Sequence, residues 1–194
     1  MKPRHLAISM LLINTAQAAP NQDAQIRLQV ASLDAAVADT VRHEVATADE
    51  QEWVDQSDKT LVKLMLKNKA LAERLDDNKL RRELLQTIHY EAKRAGLEPD
   101  LILSVIRGES NFRKYAISSA GARGYMQVMP FWADIVGERS TDLFNVRTNL
   151  RLGCAILRAY LDQEKGDLSR ALARYNGSVD NTSYSNYIYA SWVN

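Results

Sequence analysis

The chain of 194 residues has a single cysteine, Cys154, which excludes an internal disulfide and a cysteine-based zinc site. Its three histidines, His5, His43 and His89, share no ligand spacing, so no metal centre is expected and no cofactor is implied. An excess of either charge is also missing. Lys+Arg 25 against Asp+Glu 24 leaves +1, which gives no ground for a nucleic-acid partner held through many phosphate contacts. Glycine is absent before Gly96, and no proline occurs between Pro20 and Pro99. So long a stretch without helix breakers predicts continuous helix or a few long helices. Alternating strand patterns are nearly absent. What is present is a globular balance, 46% hydrophobic and 25% charged, which excludes a disordered tail protein, a collagen-like rod and a polytopic membrane protein.

Lys2, Arg4 and His5 precede an apolar run from Leu6 to Ile13, and Ala16, Ala18, Ala19 and Pro20 follow it. Basic flank, short apolar core and small-residue cleavage site are the layout of a secretory signal peptide over residues 1–19. The run is shorter than the roughly 20 residues needed to span a bilayer, so no stable membrane insertion is expected. The expected location is periplasmic or secreted. Beyond it the charge divides: residues 21–80 hold 8 basic and 12 acidic side chains, residues 81–194 hold 15 and 12. This predicts a helical N-terminal extension over 20–78 and a second module over 79–194. In the extension Leu28, Val30, Leu33, Val37 and Val41, then Leu61, Leu64, Leu66, Leu71 and Leu75, have helical spacing, which suits either packing on the second module or a coiled stalk. No chemistry is legible there, and a contact with a protein partner is the use left open for it.

The second module is punctuated more clearly. Asn78 is placed to cap a helix with Leu80, Leu84, Leu85 and Ile88 on one face and Gly96 past its end. Pro99 opens a helix running from Asp100 to about Ser110. Asn145 precedes the stripe Val146, Leu150, Cys154, Leu157 and Leu161, and Asp167 caps a short helix through Ala171, Leu172 and Tyr175 that Gly177 closes. Pattern counting therefore predicts an all-α domain of five to seven helices, with Cys154 a buried free thiol.

Candidate chemistry begins at Glu109, which follows Val105 by four places and Ile106 by three, aiming a carboxyl along a buried stripe. It also falls in the last helical turn, where the helix dipole is negative. Desolvation and dipole both raise its pKa, which suits a general acid. The spacing fits equally an ion pair with Arg113 at i+4. Next, Gly121 to Pro130 combines two close glycines with Gln127, whose amide can donate to and accept from a sugar, or is an ordinary turn before a helix. Third, Tyr175-Asn176-Gly177 reads on its own as a helix stop. The aromatic tail Tyr184, Tyr187, Tyr189 and Trp192 reads as a core-packing helix.

Taken in order, Glu109-Ser110-Asn111-Phe112, Gly121 to Pro130, Asn149-Leu150-Arg151-Leu152-Gly153 and Ala171 to Gly177 resemble the motif series of the soluble lytic transglycosylase family, over about residues 79–178. The resemblance implies a lysozyme-like helical fold and cleavage of the bond between N-acetylmuramic acid and N-acetylglucosamine in peptidoglycan glycan strands, without a cofactor. It further implies Glu109 as catalytic acid and base with Ser110 beside it, Tyr175 orienting the glutamate, and Tyr125, Met126, Gln127 and Asn176 along the saccharide groove. Two departures stand out: Tyr125 replaces the family's usual leucine, and Gly177 comes one place early. A goose-type lysozyme-like hydrolase and a catalytically silent wall-binding or scaffold protein are the rival readings. No acidic residue lies between Ser110 and Ala133, and Asp134, Glu138 and Asp142 are the next carboxylates available as a second catalytic group.

Overall fold

The computed structural model describes residues 24, 27–32, 47–178 and 181–191. The expected signal peptide, Leu33, Val37, Val41 and Trp192 lie outside the described residues. Helix starts follow side-chain caps. Thr47, Asn68, Asp77, Asn145 and Asp167 each accept the backbone N–H three residues on, a bond typically contributing about 1 kcal/mol. They open α1 (Ala48–Met65), α2 (Lys69–Leu75), α3 (Asn78–Arg94), α6 (Val146–Gln163) and α7 (Leu168–Asn176). Two further helices, α4 (Pro99–Glu109) and α5 (Pro130–Ile135), start instead with proline in the first turn, where its missing N–H costs nothing. A 3-10 turn at Ser140–Phe144 leads into α6, and α8 (Ser183–Ser191) closes the fold. Among the described residues the only β pairing is the isolated antiparallel bridges Ile117–Arg123 and Arg123–Val128.

Helix α6 packs against α3 and α7, and α8 lies on both α7 and α4. Leu150, Leu152, Leu157, Ile88 and Leu85 are fully buried between them. Cys154 is buried on the same stripe, and burial pushes its thiol pKa well up. Helix α1 belongs to this body and does not stand off as a stalk. It buries Val54 and Leu61, the Trp53 indole donates to Asp100 Oδ1 at 3.0 Å, and its ring meets His89 at 5.5 Å. The Arg81 guanidinium, itself buried, donates to Asp58 at 2.6 Å, to the Leu75 carbonyl at 2.6 Å and to Asn78 at 3.0 Å, tying α1, α2 and α3 together.

Several sequence expectations need correction. The cap of α3 is Asp77, with Asn78 its first helical residue. Leu28, Leu66 and Leu80 are 72%, 84% and 61% exposed, off the stripes that periodicity assigned them. Leu66 follows the end of α1, and Leu80, in the first turn of α3, faces an open cavity.

Candidate active site

Helix α4 is buried from Leu101 to Ile106, and Glu109 closes it, partly exposed. The chain then turns sharply: Asn111 and Phe112 both have left-handed backbone, φ 48° and 59°. A bulky residue rarely adopts this conformation, and the buried Phe112 ring anchors it here. Opposite, α8 comes close because α4 has a glycine at 108. A Cβ there would lie 3.1 Å from both Ile188 Cδ1 and Tyr187 Cε1.

That approach brings the Tyr184 hydroxyl to Glu109, where it donates to Oε1 at 2.6 Å. Asn176, at the end of α7, reaches the same oxygen through Nδ2 at 3.5 Å. Burial pushes the Glu109 carboxyl up to about 7, against the opposing pull of these two hydrogen bonds, which favour the carboxylate. Burial also raises the Tyr184 hydroxyl well above the ordinary tyrosine value, so it remains a proton donor. Arg113 does not pair with Glu109; its Nε donates to the Ser110 carbonyl at 3.0 Å.

The loop from Ala116 to Val128 is held by backbone and by one buried amide. Arg123 and Val128 exchange two backbone bonds of 2.9 and 3.0 Å. Asn149, buried on α6, accepts from Met126 N at 2.8 Å and donates to the carbonyls of Arg123 and Leu143, both at 2.9 Å. Gly124 has φ 75° and admits no side chain, since a Cβ would lie 2.5 Å from the Leu143 carbonyl oxygen.

Among the residues expected at the site, the structure brings Glu109 and Asn176 together. Ser110 is buried and turns its hydroxyl back to the Ile106 carbonyl at 3.1 Å. Tyr175 does not hold the glutamate. Its hydroxyl donates to the Met126 carbonyl at 2.8 Å, because the end of α7 faces the loop. Met126 is fully buried, packed where α6 has Gly153, and cannot line an open groove. Gln127 is buried with left-handed backbone, and its amide nitrogen is spent on the carbonyls of Gly124 and Ala116 at 2.9 and 3.3 Å. Tyr125 lines a neighbouring cavity of about 740 Å³ with Leu84, Phe112, Tyr115 and Val146, whose lining does not include Glu109. Sequence reasoning missed Tyr184. The available signal was chemical: a tyrosine on a buried helical face carries a hydroxyl that needs a partner.

No second carboxylate contributes to the shift of Glu109. Asp134 is exposed on α5, Glu138 is engaged by Arg151 at 2.7 Å, and Asp142 by Arg139 at 2.9 Å. Among the described residues no group of three or more His, Cys, Asp or Glu is arranged to hold a metal ion, and no helix is long and apolar enough to cross a membrane.

The profile of the family described as "Transglycosylase SLT domain" matches residues 86–187. The chain is 32% identical over 99 residues to a transglycosylase of Enterobacteria phage PRD1, covering 51% of this chain and 36% of that protein. It is 37% identical over 91 residues to membrane-bound lytic murein transglycosylase C of Actinobacillus pleuropneumoniae serotype 5b, covering 42% of this chain and 25% of that one. The chain thus spans about a third or less of these relatives. A solved structure, an inactive mutant of the lytic transglycosylase Slt of Pseudomonas aeruginosa, is 32% identical over 50% of this chain and 17% of that chain, with a TM-score of 0.45.

Proposed function

Because the chain belongs to the transglycosylase SLT domain family, we propose that it is an exported lytic transglycosylase acting on the glycan strands of peptidoglycan. On this reading residues 79–194 carry the chemistry, residues 20–78 are an extension whose helices α1 and α2 pack on α3, and residues 1–19 direct export to the periplasm or the outside. The observation that carries the reading is the carboxyl of Glu109, raised to about 7 and oriented through Oε1 by Tyr184. Both hydrogen bonds converge on Oε1, which leaves Oε2 to carry the proton.

The acid form of Glu109 protonates the bridging oxygen of the bond between N-acetylmuramic acid and N-acetylglucosamine as the muramyl C1 gains oxocarbenium character. N-acetylglucosamine leaves with a free C4 hydroxyl. The resulting carboxylate is stabilised by the Tyr184 and Asn176 donors and then takes the proton of the muramyl C6 hydroxyl. O6 bonds to C1, closing a 1,6-anhydro ring and returning Glu109 to its acid form. One residue thus serves both steps. Glycosidases that activate water or form a covalent intermediate generally place a second carboxylate across the bond. Here the next three carboxylates are exposed or engaged by arginine, and an attack from within the substrate gains the large advantage of a tethered nucleophile.

The test is digestion of purified sacculi with mass spectrometry of the released muropeptides. The expected products end in 1,6-anhydromuramic acid, one water lighter than hydrolytic products and without a reducing end. Products dominated by reducing muramic acid would establish the hydrolase instead.

A further inference from the structure

Helix α4 ends at Glu109, so the carbonyls of its last turn and of the turn beyond find no partner further along a helix. The Ser110 carbonyl takes the Arg113 backbone N–H at 3.2 Å and the Arg113 Nε at 3.0 Å. The next carbonyl, of Asn111, is reached by no backbone N–H among the described residues. Its donor is Nη1 of Arg74, at 2.9 Å, from α2. Helix α2 lies before residue 86, where the family match begins. We propose that Arg74 is a positioning residue of the active site, holding from outside the family domain the turn that fixes the Glu109 carboxyl. Its effect on turnover rests on the activity proposed above, whereas its hold on the turn stands on the contacts alone.

That turn needs holding. Asn111 and Phe112 are consecutive residues with left-handed backbone, a conformation that persists only where the surroundings over-determine it. The buried Phe112 ring fixes the inner side. On the outer side, the side-chain donors to the carbonyls of the turn are Arg113 and Arg74.

Arg74 is a fixed point because its own helix is pinned around it. Leu71 and Leu75 are buried. The Leu75 carbonyl accepts at 2.6 Å from Arg81, a buried guanidinium that also donates to Asp58 of α1 at 2.6 Å. A continuous path of bonded groups therefore runs from α1 through Arg81, the Leu75 carbonyl and the adjacent Arg74 to a carbonyl two residues from the acid. Glu109 in turn must meet the Tyr184 hydroxyl of α8, 2.6 Å from its Oε1. A misplacement of about an ångström can lower a rate on the order of a hundredfold. Without the Arg74 bond the Asn111 carbonyl passes to water, and the last turn of α4 is free to shift against α8. The action is through geometry and not through charge, since burial, Tyr184 and Asn176 set the pKa of the carboxyl.

The experiment uses the full chain and compares Arg74→Ala and Arg74→Lys with wild type on soluble peptidoglycan strands. The bond takes one N–H of the guanidinium, so lysine, a single-point donor on a long flexible stem, can replace it. Alanine is expected to lower kcat at least about fivefold with KM within about twofold, and lysine to restore most of the rate. A raised KM at unchanged kcat would make Arg74 a substrate contact and overturns the proposal. Alanine equal to wild type, or lysine no better than alanine, overturns it as well. In parallel, amide hydrogen exchange is followed by mass spectrometry without substrate. Peptides covering residues 110–116 should exchange at least about tenfold faster in the alanine variant and near the wild-type rate in the lysine variant, with α6 unchanged in both. Unchanged exchange in the turn, or acceleration spread equally over α3 and α6, overturns the hold. This arm is independent of turnover: a wild type that cleaves no strand would defeat the proposed activity, while exchange still decides whether Arg74 holds the turn.

Discussion

The Tyr184 hydroxyl lies 2.6 Å from Oε1 of Glu109, across 75 positions of sequence. Helix α8 is thereby part of the site that α4 presents, and the approach of the two depends on Gly108 having no side chain. The Tyr184 bond and burial act in opposite directions on one carboxyl. Burial dominates, which is why the group retains a proton near neutral pH.

Replacing Glu109 with Gln keeps the volume and removes the transferable proton. Turnover should fall at least about a hundredfold, the usual scale for a lost general acid. Cooperative thermal unfolding should persist. Wild-type turnover of sacculi by the Gln protein would remove Glu109 from the mechanism.

Tyr184→Phe and Tyr175→Phe should behave differently, although each removes one hydroxyl from a packed ring. Without Tyr184 the Glu109 carboxylate loses its main donor, so its pKa rises and the alkaline limb of the pH–rate profile moves to higher pH. The rate at the optimum should drop on the order of tenfold, the equivalent of one hydrogen bond. Tyr175→Phe instead leaves the buried Met126 carbonyl without a donor. It should cost about 1–3 kcal/mol of stability with no displacement of the pH limb. Paired pH profiles and melting curves decide, and a displaced limb in the Tyr175 variant alone would reverse the assignment.

These two tyrosines show how far sequence reading reaches. The helix ends, the single acid at the end of α4 and the all-α architecture follow from proline, glycine and capping residues at regular spacing, all of them local signals. Which hydroxyl meets which acceptor is set by how α7 and α8 pack on α4 and α6, and spacing along one helix carries no information about that. Met126 and Gln127 misled for the same reason. Their motif is distinctive, yet the close approach at Gly153 buries the first, and the left-handed backbone of the second turns its amide inward. Asn149 was legible only as part of a motif; its work is to bond three backbone groups, two of them buried.

Stability should depend on pH through Glu109. Its native pKa, about 7, lies above the ordinary 4.5, so the unfolded state releases this proton first as pH rises. The contribution is fully present below about 4.5 and is lost progressively up to about 7, at most about 3 kcal/mol for a shift of this size. Glu109→Gln cannot ionise. Its stability relative to wild type should increase between pH 4 and pH 8, as measured by denaturant unfolding at each pH. A constant difference would mean that the carboxyl titrates normally.

Asn149→Ala should be among the most damaging single changes. It strips the partner from the Met126 amide and from the Leu143 carbonyl at once, while the Arg123 carbonyl keeps the Val128 N–H. Each buried group left unpaired costs about 1–3 kcal/mol, so a loss of at least about 2 kcal/mol is expected. Chemical denaturation measures it. A loss under about 1 kcal/mol would show that water enters to replace the amide.

The Trp53–Asp100 bond and the Arg81 cluster have a practical consequence for anyone dividing this chain. The family match begins at residue 86, in the middle of α3. A fragment cut there would start without the Asp77 cap, lose Arg81 and the Trp53–Asp100 bond, and bare to water the face of α3 that α1 covers. The unit that folds as one piece is therefore larger than the family match. Grafting it onto another protein requires carrying α1 and α2 along, and a chimera joined at the edge of homology should aggregate before its chemistry can be assayed.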